Sequence, residues 1–330
     1  MVAGPGADEG RGGKPQGRVG GHGPPRWDGG VLRVATRGSP LALRQAEEVI
    51  RRLREACPGL EVRVVEIRTR GDRDQRPLRA FGRPGVFVRE VERALLSGEA
   101  DLAVHSLKDL PTALPRGLIV AAFPVRADPR DALVSPRGLS LEELPAGARL
   151  ATGSPRRRAL IARVRPDITC VDVRGNVDTR VRRAQEAGLD GLVLAAAGLD
   201  RLGLGHLVTQ RLSPETFVPA PGQGTLAVEA RVWDEDLLAL LAGIDRPELR
   251  AASEAERSFL RTLGTGCQLP AGAWARVEGG VLRLVGMLAG GETGPVFADA
   301  LEGSAADAVR LGQELAGLLL RRARHPAPAP

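Results

Sequence analysis

The feature that most limits the fold is a short unit that the sequence contains twice. The residues ATRGSP at 35–40 and ATGSP at 151–155 each end an apolar segment and begin an amphipathic one. Serine caps helix N-termini and proline suits the first helical position, so each copy predicts a strand, a turn and a helix. Strands that alternate with helices form α/β layers. Two copies therefore predict two similar α/β domains that face a cleft.

The hydrophobic pattern extends this arrangement along the chain. Residues 217–230 are rich in Pro and Gly and predict a crossover. Two helices, a short hairpin and a last helix then predict a third, smaller α+β unit. The predicted strands are 31–37, 60–67, 101–105, 118–123, a strand from 148, 168–173 and 191–196, and the helices of the first two units are 39–56, 86–98, a helix to 164, 176–188 and a helix through 202.

Composition indicates the cellular compartment in which the protein works. Residues 1–30 are rich in Gly, Pro and Arg without an apolar core, so we expect a disordered tail rather than a secretory signal. Cys57, Cys170 and Cys267 lie far apart and lack CxxC spacing, which argues against disulfides or a zinc site and favours the cytoplasm. No apolar run is long enough to span a membrane.

The charge balance predicts an anionic partner. The net charge is +7, but aromatic residues make up only 3%, and the cations form no stripe that would suit nucleic acid. Almost every cation is arginine; the two lysines are Lys14, in the tail, and Lys108. Because a salt bridge would do as well with arginine, Lys108 indicates a need for a compact ammonium group beside Asp109.

The stretch VHSLKDLPT, residues 104–112, places several reactive groups after a predicted strand. Asp109 is a carboxylate in a basic chain, and it could stabilise a cation or transfer a proton. The alternative is a turn cap before Pro111. His105 is more often a hydrogen-bonded core residue than a catalyst.

Arginines gather near the predicted helix N-termini, which themselves attract anions. Arg37 precedes the first Ser-Pro, Arg156 and Arg157 follow the second, and Arg174 and Arg180 flank a later turn. Simple helix capping and solvated surface charge are the alternatives. The convergence favours an anion-binding cleft.

A glycine-rich loop, LGTGCQLPAGAWA at 263–275, contains Cys267. Glycine permits a close approach to something bulky, and an exposed cysteine in such a loop could carry a covalent group. The alternative is an unremarkable free thiol.

Taken together, these segments resemble the porphobilinogen deaminase family from about residue 31 to residue 322. Each motif alone is weak, but their ordered set is highly specific. In chain order the motifs are ATRGSPLAL, DLAVHSLKDLP, DPRDALVS, TGSPRRR, VRGNVDTR, LAAAGLDRLG, PAPGQG and GTGCQLP.

The resemblance implies a transferase of tetrapyrrole biosynthesis, hydroxymethylbilane synthase. A dipyrromethane cofactor would be bound through a thioether to Cys267 and would act as primer. Four porphobilinogen molecules would be added in turn, each losing ammonia through a cationic azafulvene that Asp109 stabilises, with Lys108 beside it. Hydrolysis would then release hydroxymethylbilane.

The resemblance also implies site residues, which hold the many acetate and propionate groups of the growing chain. No metal is implied. The implied catalytic residues are Asp109 and Lys108; the cofactor-binding residues are Cys267, Lys108, Asp109, Ser154, Arg156, Arg157 and Arg174; and the substrate-binding residues are Arg37, Ser39, Gln45, Ser106, Phe87, Arg174, Arg180 and Arg201.

The family fold has two domains like the halves of periplasmic binding proteins, plus a smaller C-terminal α+β domain. We therefore expect a small-molecule substrate, no nucleic acid or membrane partner, and a cytoplasmic monomer. The expected segments are a tail at 1–30, a first domain at 31–124 and 225–243, a second at 125–224 and a third at 244–324.

Two departures from the family pattern stand out. The loop before Phe87 reads FGRPG, with Arg83 and Pro84 where lysines are common. Pro155 stands where a leucine is common, and we expect little effect because proline suits a first helical position.

Two other functions remain open at this point. A non-catalytic two-lobed protein that binds anionic solutes would explain the duplicated units, but not Cys267. A nucleic-acid binder would rest on charge alone, and its affinity would have to survive physiological salt.

Overall fold

The fold is seen in a computed structural model that describes residues 1, 30–69, 88–264 and 270–324. The predicted tail and the loop at 68–85 therefore lie almost wholly outside the described residues. The strands are β1 Val31–Arg37, β2 Glu61–Ile67, β3 Leu102–Ser106, β4 Leu118–Ala122, β5 Asp131–Val134, β6 Arg149–Ala151, β7 Thr169–Val171, β8 Gly191–Ala195, β9 Gln210–Arg211, β10 Leu226–Arg231, β11 Ala271–Glu278, β12 Val281–Ala289 and β13 Val296–Ser304. The helices are α1 Pro40–Ala56, α2 Arg89–Leu96, α3 Pro155–Val164, α4 Val177–Glu186, α5 Ala196–Arg201, α6 Glu235–Ala242, α7 Pro247–Thr262 and α8 Ala308–Arg324.

The first two sheets have the same design. Their strand orders are β2-β1-β3-β10-β4 and β7-β6-β8-β5-β9. In each sheet the strand before the Ser-Pro turn pairs in parallel with two neighbours. In each sheet an antiparallel strand also follows in the fourth place. The predicted duplication and the α/β class are thus confirmed.

Both repeated helix starts form as the sequence predicts. The hydroxyl of Ser39 accepts a hydrogen bond from the amide of Ala42 at 3.3 Å. The hydroxyl of Ser154 accepts one from the amide of Arg157 at 3.4 Å. Pro155 occupies the first turn of α3 without disturbing it, since that position needs no amide donor.

The predicted crossover at 217–230 is partly wrong, because its second half is strand β10. This strand runs antiparallel between β3 and β4, in the fourth place of the first sheet. Its residues from Leu226 to Ala230 are buried. Short strands β5 and β9 were also absent from the prediction, as was β13, which makes the predicted C-terminal hairpin a three-stranded sheet.

The C-terminal domain packs α7 and α8 against the sheet β11-β12-β13. Phe259, Leu284 and Leu315 are fully buried in its core. The two helices approach closely at Gly312, where an added Cβ would lie 2.4 Å from the carbonyl oxygen of Ala255. A side chain at that position would push the helices apart.

A buried glutamate ties this domain to both segments that cross between the first two. Glu256 on α7 accepts hydrogen bonds from Arg126 Nη1 at 2.8 Å and from the amide of Gly222 at 2.6 Å. It also accepts one from the amide of Ala275 on β11 at 2.7 Å. A single carboxylate therefore links the C-terminal domain to both crossing segments.

Helix α2 carries a buried carboxyl group, that of Glu92, in the first domain. Burial raises its pKa to about 7, with a further increase from Glu229, while His105 and Arg89 oppose the shift. Since the folded state holds the proton more tightly, ionising Glu92 costs stability as the pH rises from about 4.5 to about 7.

We therefore expect Glu92→Gln to raise stability at pH 8 by about 1–3 kcal/mol and to change it little at pH 5. Denaturant unfolding at both pH values measures this difference. Glu99→Gln, at an exposed position, is the matched control and should have a small effect at either pH. An equal gain from Glu92→Gln at the two pH values would contradict the assignment.

Within the described ranges, no helix is both long and apolar enough to cross a bilayer. The same residues contain no group of three or more His, Cys, Asp or Glu side chains that could hold a metal ion.

Candidate active site

The segment after β3 is a single 3₁₀ turn, Leu107–Asp109. The amide of Leu107 donates to the carbonyl of Thr225 at 3.0 Å, and its side chain is buried against Gly222. Of the next two side chains, Lys108 is half-buried and Asp109 is exposed. The turn therefore presents an ammonium group and a carboxylate side by side.

Two predicted substrate residues, Gln45 and Ser106, meet beside this turn. Gln45 is buried on α1 and donates from Nε2 to the Ser106 hydroxyl at 2.7 Å. The contact links the first helix to the end of β3. Ser39 and Ser154 lie at the two helix starts, where their hydroxyl groups cap the helices.

Arg156 and Arg157 are buried and share one carboxylate, that of Asp131 on β5. Arg156 Nη1 lies 2.7 Å from Asp131 Oδ2, and Arg157 Nη2 lies 2.7 Å from Asp131 Oδ1. Arg156 also donates to the carbonyl of Val218, and Arg157 to that of Val193. These arginines are thus held by the protein itself, which the sequence did not indicate.

The two guanidinium groups hold the pKa of Asp131 well below its usual range, although burial acts in the opposite direction. Burial is also the largest effect on Arg156 and lowers its pKa. Because the folded state favours the ionised carboxylate, the stability that Asp131 contributes is present above about pH 4 and is lost as the pH falls below it.

Asp131→Asn would leave two buried cations with one neutral partner. We expect it to destabilise the protein by about 3–5 kcal/mol near pH 7. Urea unfolding measures the loss, with Asp307→Asn, at a surface ion pair with Arg310, as the control. If Asp131→Asn lowers the free energy of unfolding no more than Asp307→Asn does, the Asp131 charge does not stabilise the two buried arginines.

Arg180 on α4 lies close to charged groups of both the first and the second domain. Burial lowers its pKa to about 10, and the nearby charges of Arg157, Arg174 and Arg37 lower it further. The carboxylate of Asp109 opposes this shift. Arg37 and Asp109 belong to the first domain and the other residues to the second, so the structure brings these predicted site residues together.

Lys108 lies close to several of the same charged groups. Burial lowers its pKa to about 8, and Arg157 and Arg156 add to that shift, whereas Asp109 and Asp131 oppose it. An ordinary lysine is almost wholly protonated near neutral pH. Lys108 can therefore take up and release a proton close to the pH of a cell.

Arg201 lies between α5 and the first domain. Its Nε donates to Glu48 on α1 at 2.9 Å, and its Nη2 donates to the carbonyl of Gly224 at 3.2 Å. The contact with Glu48 joins α5 of the second domain to the first domain. His105 is buried and its Nε2 lies 3.0 Å from Glu229, as expected of a core residue.

The predicted residues Phe87 and Cys267, and the loop residues Arg83 and Pro84, lie outside the described part of the chain. The structure describes the chain again from Pro270 onward. An added Cβ at Gly272 would lie 2.8 Å from the carbonyl oxygens of both Val218 and Pro219. The start of β11 thus packs on the crossing segment that also binds Arg156.

Asp131 and Gln223 are the residues that the sequence analysis did not single out. Gln223 is buried and contacts both Lys108 and Asp131. Asp131 had a recognisable signal, since an acid at the start of the apolar segment DALV requires a buried partner. Gln223 had a weaker one, as a lone amide between two glycines.

Comparison with known proteins adds independent findings. A family model described as porphobilinogen deaminase, dipyromethane cofactor binding domain, matches residues 32–239, and one for the C-terminal domain of porphobilinogen deaminase matches residues 251–321. Porphobilinogen deaminase of Roseiflexus castenholzii is 50% identical over 290 residues, which cover 88% of this chain and 95% of that protein. The enzyme of Syntrophus aciditrophicus is 46% identical, with the same coverage.

Among solved structures, the VFT2 domain of Bordetella pertussis BvgS matches with a TM-score of 0.39 at 18% identity, covering 66% of this chain and 87% of that one. A TRAP periplasmic solute binding protein from Desulfovibrio salexigens matches with a TM-score of 0.40 at 12% identity, covering 65% and 72% of the two chains.

Proposed function

The chain belongs to the porphobilinogen deaminase family, and from this premise we propose that Asp109 is its catalytic carboxylate. As a member of that family the protein is a hydroxymethylbilane synthase. It joins four porphobilinogen molecules head to tail with loss of ammonia, on a dipyrromethane primer, and releases the linear product by hydrolysis. The observation that carries the assignment of Asp109 is its exposed position among Lys108 and the arginines that surround Arg180.

The described residues suit a cofactor with several carboxylates. The pKa values of Lys108 and Arg180 are lowered by burial and by neighbouring cations. Such a cluster carries more positive charge than Asp109 can balance, so bound acetate and propionate groups would stabilise it. We propose that Arg174, Arg180 and Arg37 contact these groups directly. Arg156 and Arg157 are buried, so they would attract these groups through their charge, which Asp131 partly balances.

When bound, the dipyrromethane supplies the pyrrole carbon to which the first substrate is joined. The protein residues then have three tasks. The arginines orient the substrate through its carboxylates, Asp109 stabilises the positive charge that develops as porphobilinogen loses ammonia, and Lys108 holds a proton beside it. With a pKa of about 8, Lys108 can give or take that proton without a large free-energy cost.

Other parts of the assignment are proposals carried by motif match. We propose that Cys267 forms the thioether, that Ser39, Ser154, Gln45 and Ser106 line the site, and that Phe87 stacks on a pyrrole ring. For Arg201 the bond to Glu48 favours a role in joining the domains. The proposed boundaries are 31–124 with 225–243, 125–224 and 244–324, and the position of β10 in the first sheet supports the discontinuous first domain. We also propose a cytoplasmic monomer with no nucleic acid or membrane partner.

A stoichiometry measurement tests the function. The purified full chain is incubated with porphobilinogen, and ammonia, remaining porphobilinogen and bilane are quantified together. We expect one ammonia for each porphobilinogen consumed, and one bilane for every four. Retention of porphobilinogen without ammonia release would instead indicate a binding protein.

A further inference from the structure

A chain of hydrogen bonds crosses between the first two domains through Gln223. Lys108 Nζ donates to Gln223 Oε1 at 3.4 Å. Gln223 Nε2 donates to Asp131 Oδ1 at 2.9 Å and to the carbonyl of Pro129 at 2.8 Å. Lys108 belongs to the first domain, and Asp131 to the second. The amide of one buried side chain therefore joins the reactive turn to the buried Asp131 carboxylate.

The orientation of this amide follows from its partners. The carbonyl of Pro129 and the ionised carboxylate of Asp131 can only accept hydrogen bonds, so the nitrogen of Gln223 must face them. Both of its protons are then used, and its oxygen must face Lys108. A carbonyl oxygen in that place stabilises the charged ammonium more than the neutral amine.

The backbone around Gln223 holds the side chain in place. Gly222 and Gly224 on either side have φ values of +76° and +86°, a region that favours glycine. An added Cβ at Gly222 would lie 2.7 Å from Leu107 Cγ, and one at Gly224 would lie 2.4 Å from the carbonyl oxygen of Ala127. The amide of Gly222 is also bonded to Glu256. Gln223 thus extends from a segment fixed on both sides.

We propose that Gln223 is a positioning residue that holds Lys108 in place and tunes its protonation by linking it to Asp131. The proposal rests on the proposed function only for what Lys108 does in turnover; the link itself is independent of it. The charged groups that face Lys108 are Asp109 on its own turn and Asp131, Arg156 and Arg157 in the second domain. Gln223 is a neutral group that accepts a hydrogen bond from its ammonium.

The sequence makes the test unusually direct, because Lys14 and Lys108 are the two lysines of the chain. Trace acetylation of the holoenzyme over a range of pH, followed by peptide mass spectrometry, reports the protonation midpoint of each. Lys14 is the internal reference. Met and Glu are the informative replacements for Gln223: methionine removes both hydrogen-bonding ends, and glutamate keeps the length of the side chain but adds a negative charge.

We expect Gln223→Met to lower the midpoint of Lys108 by about one unit, and Gln223→Glu to raise it by a similar amount. The midpoint of Lys14 should not move in either variant. Gln210→Met is the matched control, because Gln210 bonds Leu141 and Glu142 instead, and it should leave Lys108 unchanged. Opposite shifts are a signature that general disruption of the fold would not produce.

Unchanged midpoints in both folded variants, or shifts in the same direction, would overturn the proposal. The pH dependence of kcat, measured in the same variants, separates it from the proposed function. If the kcat profile moves with the Lys108 midpoint, both are supported. If the midpoint moves and the kcat profile does not, the link through Gln223 stands and the role of Lys108 in proton transfer fails.

Discussion

Asp109→Asn should lower kcat by at least about a hundredfold while the protein remains folded. The substitution keeps the shape of the side chain but removes the negative charge that would stabilise a cation. Asp109 is exposed, so its loss should change the free energy of unfolding by less than about 1 kcal/mol. The charge also stabilises Arg180, so any change should be a small loss. Steady-state kinetics and thermal unfolding of the same preparation measure both quantities.

Asp236→Asn is the control for Asp109→Asn, since Asp236 is an exposed acid on α6. It should keep the wild-type rate and stability. A folded Asp109→Asn protein with wild-type kcat would remove Asp109 from the mechanism. A drop in kcat accompanied by loss of the folded state would instead point to a structural role.

Cys267→Ser should abolish turnover by removing the attachment point of the cofactor. We expect the intact mass of the denatured wild-type protein to exceed the sequence mass by a dipyrromethane, and that of the variant to equal the sequence mass. A thiolate forms the carbon–sulfur bond to the cofactor, and a serine hydroxyl is too weak a nucleophile to replace it. Mass spectrometry under denaturing conditions detects the adduct without an activity assay.

Cys170→Ser is the matched control for the mass measurement. Burial, together with Glu292, raises the pKa of the Cys170 thiol against the effect of Arg158, so this cysteine should stay protonated and unreactive. We expect the adduct to persist in that variant. An adduct that persists in Cys267→Ser would exclude Cys267 as the attachment site. If the wild type is unmodified as isolated, adding porphobilinogen should produce the adduct.

The fold class could be predicted because it depends on local signals. Ser39 and Ser154, each followed by proline, mark helix starts whatever the rest of the chain does, and β1 and α1 appear where the pattern places them. Strand β5 was not predicted, since four residues beginning with an aspartate show no period. Strand β10 was obscured by the prolines and glycines before it. Its place in the sheet depends on partners more than 100 residues away in sequence.

The residues of the candidate site could be predicted from the sequence, but the hydrogen bonds and ion pairs among them could not. The motifs indicated which cations would converge, and the structure brings Arg37, Arg174 and Arg180 into one electrostatic neighbourhood. They did not indicate that Arg156 and Arg157 share Asp131, because that contact depends on which way buried side chains point. Arg201 shows the same limit, because the motifs did not indicate its bond to Glu48, which joins α5 to α1.

The place of β10 between two earlier strands has a consequence for how the protein is made. Strands β3 and β4 each need β10 as a neighbour, yet it leaves the ribosome only after the whole second sheet has been synthesised. A nascent chain can therefore complete the second domain while the first still has two unpaired strand edges, which are prone to aggregation. The turn that carries Lys108 and Asp109 is held by the carbonyl of Thr225, just before β10. Translation should thus complete the second domain, with Arg156 and Arg157, before the turn of Lys108 and Asp109 is fixed.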